Sequence, residues 1–330
     1  MNTFPTLLKR EFWEHKGGML WAPVVTGGIA AFFATLGAIG GTLLLNNARE
    51  NGRVSWEHSG IVTQAGTPET LEALGGLGDI LIAGGIALAL TVMAFVVFFY
   101  ALGSLYDDRR DRSILFWKSM PISESQTVFA KVLWALSLAP ALSIGIGVIV
   151  GFAILLIVTL ASAANGIPDS SALILEAKMF RIAGSAIAML PIQALWSLPT
   201  VGWLMLCSAW ARRLPFLWAV LTPILSCAMI SLSAQIAVSM SGGEFPHEHL
   251  WYYIVYRGLF SIIPMTWTAN DHVGTHFANL QIDGPQDMVK LLDVGAMYST
   301  ISTVELWAGA LIGIAMIATA IRLRRWREDA

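Results

Sequence analysis

Long apolar runs broken by short charged stretches set the pattern of this chain. The runs are Met19–Leu45, Ile80–Leu105, Val128–Leu160, Ile182–Trp210, Leu214–Met240 and Leu306–Ile321. The first is long enough to cross a hydrocarbon core of about 30 Å at about 1.5 Å per residue, and too long for the apolar segment of a signal peptide. Backbone polar groups find no water in lipid, so all six read as helices, with Pro140, Pro191, Pro199 and Pro223 as expected kinks. Ahead of the first run, residues 3–17 place Phe4, Leu7, Leu8 and Phe12 at helical spacing, with Lys9, Arg10, Glu14 and Lys16 around the other side. That pattern predicts a helix lying in the membrane interface, ended by Gly17 and Gly18.

The segments between runs differ in kind. Residues 46–79 and 241–305 are long, and 161–181 is short. Within the longest, Trp251–Ile263 is apolar but too short to span, and Pro264 ends it. It reads equally as a re-entrant helix or as a surface helix anchored by Trp251, Tyr252, Tyr253 and Tyr256. The second and third runs are separated by a charged island, 106–126. Asp107, Asp108, Arg109, Arg110, Asp111, Arg112 and Lys118 enclose an apolar patch of Ile114, Leu115, Phe116 and Trp117. Pro121 then stops the helix, and Ser123 with Gln126 forms a capping box for the next one. The island predicts a short amphipathic helix outside the lipid, or an ordinary solvated loop.

The resulting fold class is an all-α integral membrane protein with six spans. Residues 1–18 form an interfacial helix, 19–240 hold spans 1–5, 241–305 face outward, and 306–330 hold span 6 and a basic tail. Composition agrees: 56% of residues are apolar, 13% are charged, and mean hydropathy is +0.66. The net charge of −2 carries no information about acidic partners, because in such a protein the placement of charge matters. Fourteen of the twenty Lys and Arg residues fall beside the amino-terminal helix, the island, Arg212–Arg213 and the carboxyl tail; only Arg49, Arg53, Lys178, Arg181, Arg257 and Lys290 fall opposite. Both termini and the island are therefore expected in the cytoplasm, with the chain in the inner membrane of a prokaryote. Cys207 and Cys227 lie in apolar runs and imply no redox role.

Charged residues are absent from the middle of the runs, which argues against ion coupling. Gln193 and Gln235 are the polar side chains at depth, each able to line a pathway or to bond a neighbouring helix. No phosphate-binding loop, nucleophile elbow or His-Glu-x-x-His motif occurs, so neither ATP binding nor catalysis is expected of this chain itself. His247 and His249 flank Glu248, and His272 and His276 are four apart, a weak zinc signal on the outer side that is not counted as a metal site.

On these features the chain resembles the type-2 family of ABC-transporter permease subunits. That family's island carries Glu-Arg-Glu-x-Gly-Thr, a Pro-Val-Ser eight residues past the Thr, and a Lys ten past the Pro. Asp108 and Arg109 fall on the first two positions, Ser113 on the Thr, Pro121, Ile122 and Ser123 on the tripeptide, and Lys131 on the Lys. Arg110, Arg112 and Leu115 depart from the pattern. The resemblance implies that the island is a coupling helix gripped by a separate cytoplasmic ATPase in two copies, which binds the ATP and magnesium. Asp107, Asp108, Arg109, Arg110 and Arg112 would orient that partner, Phe116 and Trp117 would anchor it, and Arg10 and Trp13 would form a second contact. A second permease copy or a sister subunit would complete the pathway for an exported amphiphile, lipid, drug or peptide. Membrane lipid is a further partner, and nucleic acid is not. Two other readings are a membrane scaffold or sensor that docks a cytoplasmic protein through the island, and an outer-face metal-dependent enzyme.

Overall fold

The computed structural model describes residues 3–51, 66–110, 123–241, 245 and 247–328. Among them, every regular element is helical and no strand occurs. Helix α1 (Thr3–Glu14) precedes α2 (Ala22–Glu50), followed by α3 (Pro68–Arg110), α4 (Glu124–Leu133), α5 (Ala139–Ala164), the single turn α6 (Ala172–Leu175) and α7 (Met179–Trp210). Then come α8 (Thr222–Ser241), α9 (His247–Trp251), α10 (Arg257–Leu259), α11 (Asp271–Ala278), α12 (Val294–Tyr298) and α13 (Val304–Glu328). Among the described residues, five stretches are long and apolar enough to cross a membrane: Gly17–Glu50, Pro68–Arg110, Glu124–Ala164, Leu217–Met240 and Val304–Arg325. The expected span Ile182–Trp210 is not one of these five. It forms most of α7, a 32-residue helix whose middle, including Trp196, Val201, Leu204 and Met205, is enclosed by the other helices.

Three of the helices begin in the same way. Wide π turns at Gly17–Trp21, Trp134–Leu138 and Leu217–Leu221 each run into an X-Pro pair, namely Ala22-Pro23, Ala139-Pro140 and Thr222-Pro223. Proline has no N–H and its ring presses on the carbonyl four residues back, so widening the turn relieves the clash. Ala22 N accordingly bonds back to Gly17 O, and Ala139 N to Trp134 O. The carbonyl that Pro223 leaves unpaired, Ala219 O, accepts from the Trp203 indole at 2.9 Å. Pro140 and Pro223 thus act as wide turns, while Pro191 and Pro199 sit inside α7.

Glycine seams set the packing. An added Cβ at Gly85 would lie 2.5 Å from Gly151 Cα, one at Gly147 would lie 2.6 Å from Ile86 Cα, and one at Gly151 would lie 2.7 Å from Ile82 Cα. Helices α3 and α5 therefore touch backbone to backbone along Gly147-x-x-x-Gly151, the small-residue contact that lets helices approach where lipid supplies no hydrophobic drive. Helices α7 and α13 cross in the same way, with a Cβ at Gly202 placed 2.5 Å from Gly313 O. The main core, with Met93, Val97, Leu105, Trp134, Leu204 and Met205, fills the space between these seams.

Side-chain bonds fix the direction of each helix. At one end, Arg49 donates to Asn165 O, the buried Asp79 accepts from Lys178 N at 2.6 Å, and Asp169 accepts from Gly66 N at 2.7 Å. At the other end meet α1, the end of α3, the start of α4, the end of α7 and the end of α13. Helix α7 therefore runs the full length of the bundle, and both ends of the described chain lie together. The capping box occurs as expected: Ser123 Oγ accepts from Gln126 N, and Gln126 Oε1 accepts from Ser123 N, both at 3.2 Å. Ser123→Ala is expected to cost about 1 kcal/mol in detergent unfolding, with α4 fraying from its first turn.

Within the run Trp251–Ile263 the chain is helical without a break as far as Leu259. The helical part is the end of α9, a π turn over Tyr252–Tyr256 and α10, after which Met265 turns the chain at φ 63°. Val255 and Leu259 are buried against Cys227 of α8.

Candidate functional site

The end of the bundle that carries the charged island is held by buried ions. On α1 the side chain of Glu11 points inward with Leu7 rather than outward with Lys9. Its carboxylate accepts from the Tyr100 hydroxyl at 2.9 Å and lies 3.1 Å from Lys131 Nζ. Lys131, also buried, reaches Asp108 Oδ1 at 3.5 Å. The second oxygen of Asp108 accepts from Arg324 Nη1 at 3.2 Å, and Arg324 Nε lies 2.6 Å from Glu124 Oε2. The chain Glu11–Lys131–Asp108–Arg324–Glu124 thus joins α1, α3, α4 and α13. Three acids and two bases alternate along it, so the buried Glu11, Lys131 and Arg324 and the half-buried Asp108 and Glu124 each have an opposite neighbour, the condition under which such groups are tolerated away from water.

Apolar contacts dock α1 alongside these ions. Phe12 stacks on Trp134 at 5.6 Å, the Trp134 indole donates to Leu8 O at 2.8 Å, and Phe4 meets Phe129 at 5.9 Å. His15 sets its ring edge-on to Tyr100 at 4.7 Å. Glu11, Glu14 and His15 hold ligand-type atoms within 4.8 Å of one another. Tyr100 and Lys131 already engage Glu11, and Arg10 pairs with Glu14, so that charge is balanced within the chain.

The residues expected to meet a partner separate into two groups. Asp108 is turned into the network just described, and Arg109 donates to Ser208 O and, at 3.2 Å, to Ala211 O, fastening α3 to the end of α7. The Ser208 hydroxyl returns the bond by accepting from Leu105 N at 3.1 Å and Tyr106 N at 2.9 Å. Asp107 and Arg110 are exposed on the last turn of α3. Trp13 is 59% exposed with Lys16 Nζ 4.8 Å above its ring, and Arg10 lies beside it on the outer side of α1. Arg112, Phe116 and Trp117, together with Ser113, Pro121 and Ile122 of the motif, lie outside the described residues.

The two glutamines have different surroundings. Gln193 Nε2 donates to Ser197 Oγ at 2.9 Å and to Ser261 O at 3.1 Å, tying α7 to the turn after α10. It also borders a cavity of about 330 Å³ lined by Ile86, Leu90, Ile144, Leu190 and Trp267. Gln235 is exposed on α8 among Leu232, Ile236 and Met240. Among the described side chains, no three-ligand group includes His247, His249 or His276. His276 Nε2 lies 3.7 Å from Asp293 Oδ2, and the side chain of His272 is outside the described ones.

Glu11, Tyr100, Glu124 and Arg324 were not among the residues singled out from sequence, and Lys131 entered only as a charge and a motif position. Two signals were present. Glu11 sits four residues after Leu7, on the apolar stripe of α1, and Lys131 sits one turn inside an apolar run. A charge on an apolar stripe calls for a partner.

No protein-family model matches this chain, and searches of curated proteins and of solved structures returned no match.

Proposed function

We propose that this chain is the membrane-spanning permease subunit of a transporter driven by a separate cytoplasmic ATPase. In this reading α7 is the sixth span, added to the five apolar stretches, and both termini face the cytoplasm in line with the distribution of Lys and Arg. A second permease copy and two ATPase copies complete the assembly, and the cargo is an exported amphiphile. The observation that supports it best is the buried ion chain. The island leaves α3 directly after Arg110 and enters α4 at Glu124, and the same two helices are bound through Asp108, Lys131 and Glu124 to α1 and α13. A push on the island is therefore delivered to four elements at once instead of bending one loop. The exposed Asp107, Arg110 and Trp13 border that end and supply outward contacts. Within the island, Arg112 adds charge, and Phe116 and Trp117 supply the apolar anchor that dominates such interfaces.

Affinity purification of the tagged chain in mild detergent tests this, with identification of co-purifying proteins and a hydrolysis assay. An ATPase in matching stoichiometry with vanadate-sensitive turnover is the expected result. Purification alone, or with a partner lacking ATPase activity, favours the scaffold reading. Trp117→Ala is expected to weaken ATPase retention by about 2 kcal/mol or more while the helix content by circular dichroism stays unchanged. Normal retention in that variant removes Trp117 from the contact.

A further inference from the structure

Between α7, the start of α8, α10 and the start of α13 lies a cavity of about 650 Å³ that holds unused hydrogen-bonding capacity of both signs. Arg257, only 4% exposed, lays its guanidinium 3.4 Å from the centre of the Trp196 ring and donates through Nη1 to the Trp196 carbonyl. Its other donors, Nε and Nη2, are buried without a partner. On the same cavity, Glu305 accepts from Asn270 with Oε2, while Oε1 is buried with no bond of good geometry and has the likewise buried Tyr252 hydroxyl as its neighbouring donor. Gly309 opens the way to Nη2, since an added Cβ there would lie 2.6 Å from that nitrogen. Burial lowers Arg257 to about 10 against the opposing pull of Glu305, so the guanidinium stays charged at neutral pH.

Buried polar groups are normally paired, and orphaned charge-bearing atoms facing one cavity mark the place of a ligand. We propose that this cavity binds the headgroup of a zwitterionic lipid bearing a phosphate and a primary ammonium, of the phosphoethanolamine class. A phosphate satisfies the free edge of Arg257, where the planar fork matches two oxygens. A primary ammonium satisfies Glu305 Oε1 by donating an N–H, which a trimethylated choline headgroup lacks. A net-anionic headgroup such as phosphoglycerol leaves Oε1 unpaired and adds repulsion from the carboxylate. The rest of the lining is mostly apolar, with Trp203, Ile254, Ile312 and Met316, and adds the side chains of Thr222, Ser226 and Tyr253. At the mouth Val304 is 83% exposed, and the apolar surface continues along α13 over Leu311 and Ile312, a path for an acyl chain. This inference concerns the chain whether or not it is a permease.

The test is native mass spectrometry of the full chain released from bilayer discs holding phosphatidylethanolamine, phosphatidylcholine and phosphatidylglycerol at equal mole fraction. One phosphatidylethanolamine per chain is expected, favoured over the other two by roughly tenfold. Glu305→Gln should bring the preference over phosphatidylcholine close to unity. Arg257→Gln risks unfolding the α7–α10 contact, so Ala308→Leu, which narrows the cavity while keeping both charged residues, should lower retention of all three lipids. Equal retention of the three lipids, or a preference for phosphatidylglycerol, overturns the proposal. So does phosphatidylethanolamine retention unchanged in both variants. Displacement of the lipid by excess free phosphoethanolamine, with no recovery when acyl chains are lengthened, would assign the cavity to a soluble amino-phosphate instead.

Discussion

Lys131→Met is expected to destabilise the chain by about 3–5 kcal/mol and to release α1 from the bundle. Methionine nearly matches the length and volume of lysine, so the loss reports charge and not a cavity. Without the ammonium, the buried Glu11 keeps the Tyr100 hydroxyl and the His15 ring, 3.9 Å away, and the half-buried Asp108 keeps Arg324. Removing one member of a buried ionic network costs far more than removing all of it together, because the survivor keeps its desolvation penalty. A Glu11→Gln, Asp108→Asn, Lys131→Met triple variant is therefore expected to recover much of the loss. Denaturant unfolding in detergent followed by circular dichroism gives the stability. Limited proteolysis after Arg10 and Lys16 reads the docking of α1. A single variant as stable as the parent, or a triple variant no better than the single one, would show that the network does not hold this end together.

The second large effect is expected at the α3–α5 seam. Gly151→Leu should cost about 3 kcal/mol and yield mostly aggregated protein on size-exclusion chromatography. Its Cβ would meet Ile82 Cα at 2.7 Å, Ile82 O at 2.9 Å and Leu81 O at 3.0 Å. All three are main-chain atoms of a helix, so no rotamer change makes room and the helices must separate along their length. Separation also undoes the contact at Gly85 and Gly147, where an added Cβ meets backbone in the same way. Gly145→Leu is the control. It lies on the same helix with nothing within 4 Å of its added Cβ, and it should be close to neutral. Equal behaviour of the two variants would mean that the seam is not a tight one.

The two results bear on one another through geometry. The glycine seam fixes the spacing of α3 and α5 along their length, and the ion chain fixes the charged end of α3 against α4, the helix that leads into α5. A transporter moved through its island needs both, since a push at one end travels only through elements that do not yield locally. The comparison to make is ATPase stimulation in the Gly151 and Lys131 variants that retain their fold.

The apolar runs determined that this chain would be a bundle of long helices. A run of that length without charge has one stable conformation in lipid, and its limits follow from where charges resume. The same local logic gave the capping box at Ser123, because both of its bonds lie within four residues, and it placed Phe4, Leu7, Leu8 and Phe12 on one side of α1. The sequence also located the charged island. Tertiary structure decided the direction in which each charge points. Asp108 and Arg109 are as charged as Asp107 and Arg110, yet within this single turn of helix the first two are bound to α4, α7 and α13 while the other two are exposed. Glu11 was hidden for the same reason: its partners Tyr100 and Lys131 are 89 and 120 residues away, and no local pattern encodes a contact over that distance. The cavity at Arg257 and Glu305 arises where α10 folds back on α7 beside α8 and α13, which only the packing of all four brings about. What the sequence could fix alone was whatever one helix satisfies within itself; the pairing of buried charges needed the other helices.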